Sequence, residues 1–216
     1  MLTLKIGTRP SPLAVKQVEE IKSLLPSVRF EVMRIKTRGD TDKTSSLAGR
    51  EDSDFFTREI EEALLDGRID AAVHSAKDLE TVMPRKLCIA ATTRSISHFE
   101  CLVSREGLTL ERLPAGAIVG TSSRKRKEAV IRFRPDLVVK DIRGNIDERL
   151  EQLDSGKFDA IIVAHAALIR LGLEHRITEI IPRQIIEPHP LQGSLAVQVR
   201  TDRKDLLRVF RGIDAN

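Results

Sequence analysis

The segment AIVGTSSRKRKEAVIRF, Ala117–Phe133, decides the fold. AIVGT reads as a short buried strand and SSRKRKEAVIRF as the helix it runs into. At the junction, Thr121, Ser122 and Ser123 can cap the helix and still offer hydroxyl groups to a ligand. Working outward, the same unit recurs. DLVVKDIRG (136–144) reads as a strand, NIDERLEQLDSG (145–156) as a helix, and KFDAIIVA (157–164) as a strand entering HAALIRLGL (165–173). Upstream, LTLKIGT (2–8) alternates like a strand. Ser11 and Pro12 then open a helix as N-cap and first residue, with Ala14, Val18, Ile21 and Leu25 on its apolar stripe. VRFEVMRIKT (28–37) is the next strand, and Phe55–Leu65 a second helix with Phe56, Ile60, Ala63 and Leu64 inward. RIDAAVHS (68–75), KLCIAATT (86–93), CLVSR (101–105) and SLAVQVR (194–200) are further strands, and a last helix runs from Asp202 to about Arg211. Strands and helices alternating at this length predict α/β architecture with largely parallel sheets and helices on both faces. TRSISHFEC (93–101) and the Pro-rich EPHPLQG (187–193) are the expected crossings between two lobes.

Bulk properties narrow the function. The chain has 216 residues, 41% hydrophobic and 31% charged, with a net charge of +4, which fits a globular protein with real cores. Of its 36 basic residues 24 are Arg, the side chain suited to gripping carboxylate or phosphate with a planar fork, so a polyanionic small ligand is favoured. Trp and Tyr are absent, which speaks against stacking on single-stranded nucleic acid. Two cysteines are too few for a disulfide scaffold or a Cys-rich metal site, and the five His lack the spacing of a zinc motif. No apolar run approaches membrane-spanning length and MLTLKIGTRPSP lacks the apolar core of a signal peptide, so a cytoplasmic location is expected, with neither membrane nor nucleic acid as partner.

Three predicted strand ends, GTRPSP, GTSSRKRK and IRGNIDER, carry small polar or basic residues just before a helix. Ligands of open α/β sheets bind outside the carboxyl ends of strands, and a helix N-terminus there suits an anion. Each turn alone reads as simple capping; several together, each with Arg or Lys, read as a site. The run SRKRK, Ser123–Lys127, places cations where they oppose the helix macrodipole, which is reasonable if a bound anion compensates them. A fourth strand end, AAVHSAKDLE (71–80), closes on Lys77 and Asp78. Asp78 reads equally as a turn residue paired with Lys77, or as a carboxylate that stabilises a developing cation and assists a leaving amine.

TRPSPLA, TRGD, AAVHSAKDLE, LPAGAIVGTSSRKR, RPDLVVKDIRGNIDERLEQLDSGKFDAIIVAHAALIRLGL and LQGSLAVQVR, in this order, resemble the porphobilinogen deaminase (hydroxymethylbilane synthase) family from about Leu4 to Arg211. The resemblance implies two lobes of mixed, mostly parallel sheet with flanking helices, like type II periplasmic binding proteins. Residues 1–94 and 190–216 would form the first lobe and 95–189 the second. It implies a transferase of haem and tetrapyrrole biosynthesis. Such an enzyme condenses four porphobilinogen units head to tail on a dipyrromethane cofactor, releases ammonia at each step, and frees a linear tetrapyrrole by hydrolysis. Every pyrrole carries acetate and propionate, which accounts for the Arg supply. Asp78 matches the catalytic aspartate. Lys77, Thr121, Ser122, Ser123, Lys125 and Arg126, with Asp78, match cofactor-binding positions. Arg9, Ser11, Gln17, Arg143, Arg149 and Arg170 match positions lining substrate and growing chain, and Gln192 falls in the segment matching the interlobe crossing.

The sequence also departs from the family pattern. It ends at Asn216, where the family continues into a third domain bearing the cysteine that forms a thioether to the cofactor. The expectation is therefore a primer held non-covalently or attached atypically, or a separately encoded third-domain subunit as partner. Cys88 and Cys101 match neither that motif nor its position: Cys88, inside an apolar strand, reads as a core thiol, and Cys101, beside the first crossing, is the lesser alternative for attachment. Lys125 replaces a family arginine and loses its bidentate fork. The lid before the second helix becomes AGREDSDFF, whose Glu51, Asp52 and Asp54 disfavour anionic pyrroles, while Phe56 and Arg58 match the lid's end. Two other readings stand beside the enzyme: a two-lobed protein that binds pyrroles or other polycarboxylates without turnover, and, by fold analogy, an effector-sensing domain.

Overall fold

A computed structural model of the chain describes residues 1–42, 54–79 and 83–215. From the N-terminus, β1 (Leu2–Thr8) leads to α1 (Pro12–Leu24), β2 (Val28–Arg34), the single turn α2 (Arg38–Thr41), α3 (Arg58–Leu65), β3 (Ala71–Ser75) and β4 (Leu87–Thr92). The next stretch holds β5 (Glu100–Ser104), β6 (Ile118–Gly120), α4 (Arg124–Phe133), β7 (Val138–Lys140), α5 (Ile146–Asp154), β8 (Ala160–Ala164), α6 (His165–Leu171) and β9 (Glu179–Ile181). β10 (Leu195–Arg200) and α7 (Lys204–Phe210) follow.

Two compact units result. One takes the described residues up to Ile96 and from Ser194 onward; the other takes Ser97–Gly193. The first sheet has the order β2-β1-β3-β10-β4 and the second β7-β6-β8-β5-β9. In each, four strands run one way and one opposes them: β10 is antiparallel to β3 and β4, and β5 to β8 and β9. The opposing strand is in both cases the first strand after the chain changes unit. The sheets are thus mixed with a parallel majority, and the antiparallel member is in each the strand that enters from the other unit.

Both faces of each sheet are covered, so central strands read as continuous apolar runs. In β3, Ala71 and Val73 join the cluster of Leu4, Ile6, Val18, Ile21, Leu206 and Phe210, while Ala72 faces Ile60, Ala63 and Leu64 of α3. In the second unit, Ala160 and Ile162 of β8 face Val119, Ala129 and Val130, and Ile161 and Val163 face Leu150, Leu153 and Leu168.

Local departures from the sequence reading have local causes. The expected helix over 55–65 is a 3₁₀ turn, Asp54–Phe56, followed by α3 from Arg58. Phe55 is the buried ring at that point; Phe56 is half-exposed, turned toward Gly39 and Arg9. Of DLVVKDIRG only Val138–Lys140 pairs, because β7 is an edge strand with one neighbour. Glu51 and Asp52 of the acidic lid lie outside the described residues.

Candidate active-site residues

In the first unit the site residues gather at the carboxyl ends of β1 and β3, which are parallel neighbours and so end on one edge of the sheet. Just past β1, Ser11 accepts a hydrogen bond from Ala14 N (3.3 Å) and caps α1, with Pro12 as its first residue, as the sequence predicts. Buried Gln17, one turn into α1, donates to Ser75 Oγ at 2.8 Å and so ties α1 to the end of β3. There the chain turns through a short 3₁₀ segment, Ala76–Asp78. Ala76 is buried and its N–H donates to Ser194 O at 3.0 Å; Lys77 is half-buried and Asp78 exposed. The strand end thus anchors itself through the small residue and delivers the ammonium and carboxylate to the sheet's edge.

Arg9 is held from two sides. Its Nε and Nη2 donate to Asp40 Oδ1 at 3.1 and 2.6 Å, and its guanidinium carbon lies 4.4 Å from the centre of the Phe56 ring. Asp40 Oδ2 in turn accepts from Thr37 N and Thr37 Oγ1 at 3.0 and 2.9 Å. Burial pushes the Asp40 carboxyl upward, but the bonds and charge of Arg9, joined by both Thr37 donors, hold it below the usual carboxylate value.

His74, on β3 four residues before Asp78, is a buried polar side chain that the sequence reading passed over. It is buried, and its Nε2 has no hydrogen-bond partner among the described residues. Burial lowers its pKa to about 4 against the opposing pulls of Gln198 and the Asp78 carboxylate, so a neutral imidazole sits behind the catalytic candidate. The only signal in sequence was a polar residue inside a strand otherwise small and apolar.

In the second unit the residues follow β6, β7 and β8, three parallel strands that again end on one edge. Thr121, directly after β6, is fully buried; its N–H donates to Lys140 O at 3.0 Å, and its hydroxyl has no partner among the described residues. Ser122 is committed elsewhere: its hydroxyl donates to Ile142 O (2.7 Å) and accepts from Ile142 N (3.1 Å), pinning the β6 turn to the segment after β7. Ser123 takes the N-cap position of α4 without a side-chain capping bond. Lys125 is exposed, its Nζ 3.5 Å from Pro188 O and 4.0 Å from Glu187.

Arg126, one of the expected cofactor-binding residues, lies in the first turn of α4. It is buried, its Nε and Nη2 donate to the two oxygens of Glu100 at 2.9 and 2.7 Å, and Nη1 donates to Ile162 O at 3.2 Å. Its charge is matched inside the unit, which fixes the first turn of α4 against β5.

Past β7, Asn145 caps α5 in a reciprocal box with Glu148, with bonds of 2.9 and 2.8 Å. Gly144 at φ +104° leaves room for that carboxylate, since a Cβ there would meet Glu148 Oε2 at 2.7 Å. Arg149 Nε donates to Gly144 O (2.9 Å), and Gln152 Nε2 to Arg143 O (2.9 Å), so both ends of this basic turn are fixed. Arg170, in α6, donates to Gly193 O at 2.8 Å. Buried Gln192 donates to Phe99 O at 3.3 Å, joining the segment that enters this unit to the one that leaves it.

The two cysteines differ in burial. Cys101, on interior strand β5, is fully buried, its thiol directed at Val163 O (3.5 Å) and its pKa pushed by burial, with help from Glu100, up to about 12. Cys88 is only half-buried, because β4 is an edge strand, and partial burial raises its thiol pKa despite Lys204. Among the described residues no helix is long and apolar enough to cross a membrane.

Two α/β units, each with a mixed, mostly parallel sheet and flanking helices, define a type II periplasmic-binding-protein-like fold, with Arg, Lys and hydroxyl side chains at the carboxyl ends of parallel strands in each. Solved structures agree on the fold: the BenM effector-binding domain with benzoate (TM-score 0.55, 14% identity, covering 98% of this chain and 91% of that one) and an ancestral arginine-binding protein bound to arginine (TM-score 0.51, 18% identity, 99% and 91%). The family model described as "Porphobilinogen deaminase, dipyromethane cofactor binding domain" matches residues 4–208, and the chain belongs to the porphobilinogen deaminase family. Relatives named porphobilinogen deaminase include those of Deinococcus radiodurans, 46% identical over 94% of this chain and 68% of theirs, and Legionella pneumophila, 40% identical over 98% and 70%. A third, from a Roseiflexus species, is 43% identical over 98% of this chain and 71% of its own length.

Proposed function

We propose that this chain is a hydroxymethylbilane synthase that condenses four porphobilinogen units into a linear tetrapyrrole with loss of ammonia. The observation that carries the reading is the exposed Asp78 carboxylate, delivered by an anchored strand end beside Lys77 and on the same sheet edge as Arg9. The residues present fit a dipyrromethane: Thr121 keeps a buried hydroxyl without a partner, and the neighbouring donors are the ammonium and hydroxyl groups that carboxylates require. When bound, the dipyrromethane supplies the terminal pyrrole carbon to which the first substrate unit is joined.

Asp78 acts on the incoming porphobilinogen. As the C–N bond to its protonated aminomethyl group breaks, nitrogen leaves as ammonia with the bonding pair, and the positive charge left on the methylene-pyrrole spreads to the ring N–H. An ionised carboxylate accepting that N–H stabilises the charge where it develops. Asp78 holds the ring N–H groups while the primer's terminal carbon would take up that methylene and give one proton to solvent. Thr121, Ser123, Lys125 and Lys77 hold side-chain carboxylates of the primer, and Arg9, Arg143, Arg149 and Arg170 those of substrate and growing chain. Gln17 and Ser11 set the geometry at the end of β1. Ser122 and Arg126 serve by fixing the β6–α4 turn.

Neither cysteine suits a thioether to the primer. Cys101 is enclosed and stays protonated, and the Cys88 thiol is shifted away from the reactive thiolate. Within these 216 residues the primer is therefore held by its carboxylates. Ammonia release from porphobilinogen tests the activity: Asp78→Asn should slow it by about a hundredfold or more. Unchanged release would remove Asp78 from the chemistry. Intact mass under denaturing conditions tests the attachment, since a species heavier by a dipyrromethane on either cysteine would overturn the non-covalent reading.

A further inference from the structure

The TRGD motif, Thr37–Asp40, belongs to the family pattern yet receives no part in the reading above. In the structure Asp40 bonds Arg9 directly, Thr37 backs Asp40, and Gly39 seats the Phe56 ring that lies against Arg9. Thr37 donates twice to Asp40 Oδ2, which leaves Oδ1 for Arg9 Nε and Nη2. Arg38 ties the turn to α3, its N–H donating to Glu59 Oε1 at 3.1 Å. Gly39 seats the Phe56 ring: a Cβ there would lie 2.0 Å from the ring, so no other residue permits this approach. The same ring carries the Arg9 guanidinium, whose carbon lies 4.4 Å from the ring centre. One edge and one face of the guanidinium are therefore fixed, and none of the described residues takes the two Nη1 hydrogens.

We infer that Asp40, backed by Thr37 and by Phe56 on Gly39, is a positioning residue that aims the free edge of Arg9 at a pyrrole carboxylate. This rests on the reading of Arg9 as a substrate-binding residue. Two consequences separate the arrangement from a simple surface ion pair. A guanidinium can bond Asp40 through Nε and Nη2 and still present Nη1, whereas an ammonium has no second edge, so lysine cannot substitute. With its charge already balanced by Asp40, Arg9 also works as a directional donor more than as a long-range attractor, and its contribution should depend little on salt.

The test is equilibrium binding of porphobilinogen to the 216-residue chain, with melting temperature recorded for every variant. Asp40→Ala and Asp40→Asn should each weaken binding on the order of tenfold. Arg9→Ala should weaken it at least as much, Arg9→Lys nearly as much, and Arg9→Ala/Asp40→Ala no more than Arg9→Ala alone. In wild-type chain the Arg9 Nε–H should give a slowly exchanging resonance that broadens in Asp40→Asn. The Asn variant keeps the volume and the acceptor for Thr37, so it reports on positioning even if the alanine variant folds poorly. Independent, additive losses for Arg9 and Asp40 would overturn the positioning role while leaving Arg9 in place. An Arg9→Ala chain that binds as well as wild type would overturn the assignment of Arg9 itself, and this inference with it.

Discussion

His74 shows how one buried side chain sets a pH dependence for the whole first unit. Its folded pKa, about 4, lies below the ordinary 6.5, so between these values the unfolded chain holds a proton that the folded chain does not. Stability is therefore intact above about pH 6.5, falls as pH drops toward 4, and levels off below, at a rate approaching 1.4 kcal/mol per pH unit and a total of about 3 kcal/mol. Asp40 and Asp205, both held below the usual carboxylate value, lose their contributions only under more acidic conditions, so they do not mask this window. Urea unfolding at pH 7 and pH 4.5 should show a clear stability loss in wild type and a much smaller one in His74→Gln; equal losses would show that another group controls the slope. The sequence revealed Lys77 and Asp78 because charge at a strand end is conspicuous. It hid His74, whose burial depends on α3 and β10 covering its face of the sheet. Nor did it give the depth of Cys101, because proximity to a crossing says nothing of strand alternation, which places that thiol in the core cluster with Val163 and Leu168.

At the scale of elements, most starts and stops were legible and most ties between them were not. Ser11 and Pro12 announce α1, and the polar junctions after β1, β6 and β7 mark where helices begin, because caps are local chemistry. The break at Phe56 was not visible, since the ring leaves the helix stripe for Gly39 and Arg9, contacts remote in sequence. The Glu100–Arg126 pair is of the same kind: it locks α4 to β5 across 26 residues of sequence. Glu100→Gln leaves a buried guanidinium with no matching charge and should cost about 3–5 kcal/mol in chemical denaturation. Replacing both partners, Glu100→Leu with Arg126→Met, should recover most of that loss, because the desolvation penalty of both charges disappears. If the double variant is as unstable as the single, the pair is needed for its geometry. A double variant that is stable yet binds porphobilinogen poorly would return Arg126 to the ligand-binding set.

At the scale of the molecule, alternating strands and helices made two α/β sheets legible, and the segments 93–101 and 187–193 contain the points where the chain changes unit. What the sequence could not display is the inserted antiparallel strand, because β10 pairs with β3 and β4, more than a hundred residues away. That pairing makes the units unequal as folding entities. Every strand of the second sheet, and both of its apolar clusters from Cys101 to Ile186, lie within Ser97–Gly193. The first sheet has β10 between β3 and β4, and its main cluster needs Val197, Val199, Leu206 and Phe210 from the far end of the chain. A fragment of residues 97–193 should therefore fold alone, with a cooperative thermal transition and dispersed amide resonances. Residues 1–96 should not, since without β10 the edges of β3 and β4 are unpaired and one core wall is missing. Adding residues 194–216 as a separate peptide should restore a cooperative transition to the N-terminal fragment, because it supplies both the strand and the α7 wall. A cooperative transition from residues 1–96 alone would mean that β1, β2 and β3 suffice, and that β10 serves the position of Ser194 and Ala76 at the Asp78 turn more than it serves stability.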